Sequence, residues 1–320
     1  MKRITHILLM AASVALSSGL TGCSKEDKVI DTDPLTGDKQ EMKVEAGIYN
    51  SRSLVASGLI STFPSGSSLG LFITPNTPGN YYDTRDNSAN VKATYQSSAW
   101  SLAPPVLLTG TNAYVYAYYP YNASSDNALA IPVEHTSQTD YMYGKYTNGV
   151  NRTSPTVNIS MKHALALIQF KLSKTDFPWT GQLTKVEIAN KSGKTVLYSA
   201  GTMELTGGQI TNTSGQNASA VIENSTGLLT IPTTASTDES TYPKLLVLPV
   251  ANSGAAGDLV MLFTIDGKVY TCDVPASTAW GAGTKNTYTV TIQGHELKLD
   301  TNVTIEDWLS GITGSVTPIL

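Results

Sequence analysis

Residues 287–293 read Thr-Tyr-Thr-Val-Thr-Ile-Gln, with Tyr288, Val290 and Ile292 alternating against Thr287, Thr289 and Thr291. A period of two sets the apolar side chains on one face of a strand and the threonines on the other, and no helix can bury that pattern. Short runs rich in Val, Ile, Thr and Tyr recur at residues 69–74, 114–119, 157–161, 164–172, 185–189, 195–200, 245–250, 259–265 and 268–274, between Gly, Asn, Ser and Pro clusters. Beyond the first 22 residues nothing sustains apolar residues at helical spacing, so the fold class is all-β. Asp266-Gly267 lies between two of these runs and suits the positive φ angles of a two-residue hairpin turn. Strands spread over roughly 275 residues exceed one seven-stranded sandwich of about 100, which predicts two stacked β-sandwiches. The boundary is expected near residue 160, where polar residues 151–155 give way to His163-Ala-Leu-Ala-Leu-Ile, a run apolar on both faces. Such a run suits a strand buried at an interdomain contact. Residues 206–227, rich in Gly, Thr, Asn and Ser, read as a loop or hairpin insert.

Ahead of this body, Lys2 and Arg3 precede an uncharged stretch over residues 4–20, then Thr21-Gly22-Cys23. A basic start, a short apolar core and small residues at the cut describe a secretory signal peptide rather than a spanning helix. Leu20-Thr21-Gly22-Cys23 resembles the lipobox of bacterial lipoproteins, which implies cleavage before Cys23 and lipid on its thiol. Acyl chains add about 0.8 kcal/mol per buried CH₂, so more than one chain makes a stable anchor. The following Ser24-Lys25-Glu26-Asp27 is similar to the export signal that sends lipoproteins of the Bacteroidetes to the cell surface. The expected organisation is a lipoprotein signal peptide at 1–22, a lipidated flexible tether at 23–43, and sandwiches at 44–160 and 161–320. Cys272 then has no cysteine partner, since the chain holds only two, and is expected as a small apolar residue in the core.

Motifs that offer chemistry fail on context. Gly66-Ser-Ser68-Leu-Gly70 satisfies Gly-x-Ser-x-Gly, but a nucleophile elbow needs a strand before it and a helix after, and a strand follows here. Ser192-Gly-Lys-Thr195 lacks the first glycine of a phosphate-binding loop, because that place holds Ile188, and it reads as a hairpin turn. His135, His163 and His295 are scattered without metal-ligand spacing, so no metal or other cofactor is expected. Asp83, Asp86 and Asn87 could hold calcium, yet solvated turn residues are the commoner explanation. With 21 Lys plus Arg against 25 Asp plus Glu and no basic run, nothing fits a nucleic acid backbone. No catalytic residues are assigned.

Tyrosine outnumbers phenylalanine 16 to 5 and clusters at residues 81–82, 114–121 and 141–146. Tyr offers a rigid face with a polar tip and serves in recognition surfaces. Alternation also sends Tyr114, Tyr116 and Tyr118 to one strand face, as a core stripe would.

In order along the chain, the lipobox, Tyr49-Asn-Ser-Arg52 with Gly70-Leu-Phe-Ile, Tyr116-Ala-Tyr-Tyr-Pro-Tyr121, Asp140-Tyr-Met-Tyr-Gly144, Met161-Lys-His-Ala-Leu-Ala166, and Thr287 to Ile292 with Ile305-Glu-Asp-Trp308 resemble the fimbrillin family of Bacteroidetes. That resemblance implies two transthyretin-like β-sandwiches in a lipoprotein of the outer membrane, surface-exposed and joining a fimbrium after processing. It also implies that a trypsin-like protease removes the first strand and that a terminal strand of another pilin subunit fills the groove by β-strand addition. Here the implied processing site is Arg52, with Lys39 and Lys43 as rivals. The removable strand carries Val44, Ala46 and Ile48, and the donor strand Ile312, Val316 and Leu320. The implied partners are other pilin subunits, the outer membrane, the processing protease and a host or bacterial glycan or protein receptor. A surface glycan-binding lipoprotein using its Tyr-rich faces is the alternative.

Overall fold

The computed structural model describes residues 38–49, the backbone of 59–60, and residues 63–215, 219–294, 296–299 and 303–308. The only helix among them is a single 3-10 turn at Glu239–Thr241, and none is long and apolar enough to cross a membrane. The alternating run at 287–293 forms the core of a ten-residue strand, Thr284–Gln293, with Asn286, Tyr288, Val290 and Ile292 buried.

In the N-terminal half, eight strands join one sheet in the order Leu59–Ile60, Lys43–Tyr49, Thr156–His163, Met142–Val150, Ala113–Tyr119, Ser68–Thr74, Val91–Gln96, Ala99–Ala103. Most neighbours are antiparallel, but Lys43–Tyr49 runs parallel to Thr156–His163, with Val44 beside Val157 and Ala46 beside Ile159. The sheet wraps a core that includes Met42, Val44, Ile48, Leu69, Leu71, Val115, Ile159 and Met161. The C-terminal half is a sandwich of two five-stranded sheets. One is built on Ala166–Thr175 and Thr284–Gln293, parallel over nine residue pairs, and the other on Gln182–Asn190 and Leu259–Ile265. Between them, Phe170 meets Phe263 edge-on at 5.1 Å, and the buried Trp280 indole donates to the Tyr288 hydroxyl at 2.9 Å. Burial pushes the Tyr288 hydroxyl up to about 12.

The change of sheet falls between His163 and Ala166, and the halves are not independent in their pairing. Ile131–Glu134 pairs with Ala200–Met203, which pairs in turn with Ile210–Ser214, so one three-stranded sheet draws on both. All described residues fall within one compact unit. Asp266 and Gly267 hold φ of 48° and 76° and close the Leu259–Ile265 to Lys268–Asp273 hairpin. Cys272 is half-buried on that hairpin, and burial pushes its thiol up to about 12.

One predicted strand is absent. Residues 195–199 run irregularly because the side chain of Asn190 takes the place of a ladder partner. Its Oδ1 accepts from the N–H groups of Val196 and Leu197, at 3.0 and 2.8 Å, while its Nδ2 donates to the Leu197 carbonyl. A fully buried Leu197 anchors the segment without a strand. The expected insert at 206–227 is in part ladder, Ile210–Ser214 and Ala220–Glu223.

Candidate functional site: the leading-strand cleft

Lys43–Tyr49 carries polar Lys43 and Glu45 outward and Val44, Ala46 and Ile48 inward at 5, 6 and 5% exposure, with Met42 beneath its start at 1%. These side chains belong to the core, yet the strand lies near the border of its sheet. The Lys43 N–H donates to the Pro155 carbonyl at 2.9 Å, so the main-chain groups of Lys43 and Glu45 face the Thr156–His163 strand. Those of Val44 and Ala46 alternate to the other side. On that side, among the described residues, Leu59–Ile60 pairs with Ile48 and Tyr49.

What lies opposite is the last strand of the same sheet, Ala99–Ala103, whose one ladder partner among the described residues is Val91–Gln96. Between these two borders runs a cleft of about 720 Å³, lined by residues 40–46, Tyr95 and residues 98–102. Trp100 spans it. Its indole N–H donates to the Ala46 carbonyl at 3.3 Å, and its ring is wedged between Phe63 at 5.3 Å and Tyr95 at 5.1 Å. Sequence reasoning found the leading strand but missed Trp100, which is 54 residues away and carries no local motif.

A sheet border elsewhere is closed differently. The Gln138 carboxamide behaves as a strand residue toward Leu246, accepting from its N–H at 2.7 Å and donating to its carbonyl at 2.9 Å, which caps Lys244–Val247. Beside it, His135 is fully buried. Its Nδ1 faces the Leu248 N–H at 3.5 Å, its Nε2 has no partner, and burial holds its imidazole down at about 4. At the join of the halves, His163 lies 2.9 Å from Asp140 and stacks on Trp308 at 3.7 Å and 7°. Burial raises the Asp140 carboxyl above its ordinary range.

The tyrosine stripe is core. Tyr118 is fully buried and Tyr116 nearly so, packed with Phe72, Ile131 and Met203, while Val115 and Ala117 face the other core. The Tyr118 hydroxyl donates to Asn90 at 2.7 Å. Ser68 begins a strand after the Ser65-Gly66 turn, and Arg85 pairs with Asp126 in the loops near Asp83. His135 and His163 are not brought together with acids or Cys272 into a metal-sized group, among the described residues. Cys23, Arg52, His295, Ile312, Val316 and Leu320 lie outside the described residues.

A family model described as fimbrillin-like matches residues 56–308. The chain belongs to the fimbrillin-like family. Membership makes it a non-enzymatic structural protein of the cell surface. Fimbrillin-like residues 56–308 begin just after the leading strand and end at the stacked Trp308. Three crystal structures share the fold. A proposed cell adhesion protein from Bacteroides uniformis is 22% identical at a TM-score of 0.59, with 84% of this chain and 99% of that one covered. A second, from Bacteroides ovatus, is 16% identical at 0.61, covering 86% and 100%. A fimbrial protein from Bacteroides vulgatus is 17% identical at 0.52, covering 85% and 100%. No curated protein matches the chain.

Proposed function

We propose that this fimbrillin-like chain is a structural or tip subunit of an adhesive surface pilus, assembled by exchange of its leading strand. In this reading two stacked transthyretin-like sandwiches, 44–160 and 161–320, follow a tether lipidated at Cys23 in the outer membrane. A surface protease cuts after Arg52, Lys43–Tyr49 leaves, and a strand from a second subunit, carrying Ile312, Val316 and Leu320, takes its place.

The observation that carries the reading is the combination found in one strand. It buries Val44, Ala46 and Ile48 in the core, and among the described residues its main chain is met, beyond the parallel ladder, by a two-residue partner and one indole. Inward Met42, Val44 and Ile48, at roughly 1.5 to 3 kcal/mol each, make an empty slot unfavourable by on the order of 6 kcal/mol. A cut chain therefore gains by accepting another strand, with main-chain bonds for affinity and inward side chains for register. Burial of Tyr116 and Tyr118 supports a packing role for that part of the tyrosine stripe.

Arg52→Ala tests this. Surface material from the wild-type chain should start at Ser53 by N-terminal sequencing and run as ladders on unheated SDS gels, and the variant should remain a full-length lipoprotein without ladders. Unchanged ladders would exclude Arg52 as the processing site.

A further inference from the structure

We propose that the end of the C-terminal sandwich around Trp179 is a binding site for a carboxylated sugar, with Trp179 as its apolar platform and Lys268 as the partner of the carboxylate. The site supplies a ligand for the adhesive role proposed above and rests on that reading for its setting, but its test does not pass through strand exchange.

Of the four tryptophans, Trp280 and Trp308 are buried and Trp100 is half-buried in the cleft, whereas Trp179 stays 38% exposed. It sits in the loop between Ala166–Thr175 and Gln182–Asn190. Phe177 meets its ring edge-on at 5.3 Å and Tyr270 in turn meets Phe177 at 6.3 Å, both packed against the C-terminal core. The loop is pinned where it returns to the sheet. Both Asp266 carboxylate oxygens accept main-chain N–H groups, from Gly181 at 2.7 Å and Gln182 at 3.0 Å, and Lys174 donates to the Thr180 carbonyl. An aromatic ring held at the surface in this way needs little further ordering to receive a ligand.

The charges around it select the ligand. Lys268 Nζ lies 4.0 Å from the centre of the Trp179 ring, a cation–π geometry that fixes the ammonium beside the platform. Among the described residues Lys268 has no carboxylate partner, and Lys174 reaches a carbonyl rather than an acid. Asp266 is spent on two main-chain donors, which leaves the exposed Asp176 against two ammonium groups. A carboxylate complements that balance. An exposed indole matches the apolar face of one sugar ring, whereas a stable protein interface takes about 20 to 30 residues a side, far more than one loop and one hairpin turn present.

Position points the site outward. Thr156–His163 leads to the junction of the halves and Ala166–Thr175 leads away from it, while Lys43 lies beside Thr156. Lys43 and Trp179 thus each lie at the end of their half farthest from the junction, and a chain tethered ahead of Lys43 presents Trp179 away from its own membrane.

The test titrates the full-length chain in detergent with a hyaluronan tetrasaccharide, sialyllactose and lactose by isothermal calorimetry. At least one of the two acids should bind at least tenfold more tightly than lactose, and which one does so distinguishes a uronate from a sialate source. Trp179→Ala should weaken that binding at least tenfold. Lys268→Gln should bring the acid down to the affinity of its methyl ester, with the urea midpoints of both variants within error of wild type. Wild-type chain that binds neither acid would overturn the proposal, as would undiminished binding in Trp179→Ala. Self-association that Trp179→Ala abolishes, without sugar binding, would overturn it in favour of a second copy as the occupant. Sugar binding by a chain that forms no SDS ladders would remove strand exchange and leave this site standing, and ladders without sugar binding would do the reverse.

Discussion

Replacing His135 by leucine should remove a large part of the acid sensitivity of this fold. The imidazole is fully buried at the junction of the two halves, and burial lowers it from an ordinary 6.5 to about 4, only partly opposed by Glu134. In the unfolded chain the same group takes a proton near pH 6.5, so below that pH the unfolded state binds more protons than the folded one. Stability is therefore complete above about pH 6.5 and is lost as pH falls toward 4, where the folded imidazole also protonates. At 1.36 kcal/mol per unit, the full window is worth about 3 kcal/mol. For a chain of this size that is a fall of about 6 °C in midpoint beyond what the carboxylates contribute. Leucine fills much of the ring's volume and removes the unpartnered Nε2. Calorimetry of wild type and His135→Leu at several pH values between 7.5 and 4 isolates this term, because all other groups cancel in the difference. The two curves should run parallel above pH 7 and separate below 6.5, the variant being the more acid-resistant. Equal slopes throughout would refute the claim that His135 enters the fold neutral.

Two further substitutions probe the leading strand and the packing beneath it. Ile48→Ala should cost about 2 to 4 kcal/mol in urea unfolding, because a buried side chain leaves a cavity, while Glu45→Ala on the exposed face of the same strand should change stability by under about 0.5 kcal/mol. Gly70→Ala should be more damaging than its single methyl suggests, since the new Cβ would fall 2.0 Å from Tyr118 Cε1, and the ring is held by hydrogen bonds to Asn90 and Asn122. A loss of about 3 kcal/mol, or failure to yield soluble protein, is expected from such overpacking.

The sequence reveals what repeats locally, and hides what is closed over a distance. Alternation exposed the Thr284–Gln293 strand, and Asp266-Gly267 its hairpin, because side-chain period and turn chemistry are written within a few neighbouring residues. Alternation cannot name a partner strand. The two parallel ladders, Lys43–Tyr49 on Thr156–His163 and Ala166–Thr175 on Thr284–Gln293, join segments more than a hundred residues apart, and their patterns would serve an antiparallel neighbour equally well. The predicted strand at 195–200 failed for the converse reason, since Asn190, a few residues upstream, offers main-chain partners that no hydropathy pattern registers. The same limit governs the site. Val44, Ala46 and Ile48 were legible as an alternating stripe, but whether that stripe is locked or exchangeable depends on the other border of the sheet. That border is one long-range indole contact at Trp100, against a carboxamide at Gln138 that closes a different border with two hydrogen bonds to Leu246. Gln138 mimics a strand residue and blocks pairing at its edge, whereas Trp100 satisfies a single carbonyl and leaves the main-chain groups of Val44 facing the cleft. The difference between a sealed edge and a readable one thus resides in how many backbone groups a single side chain satisfies.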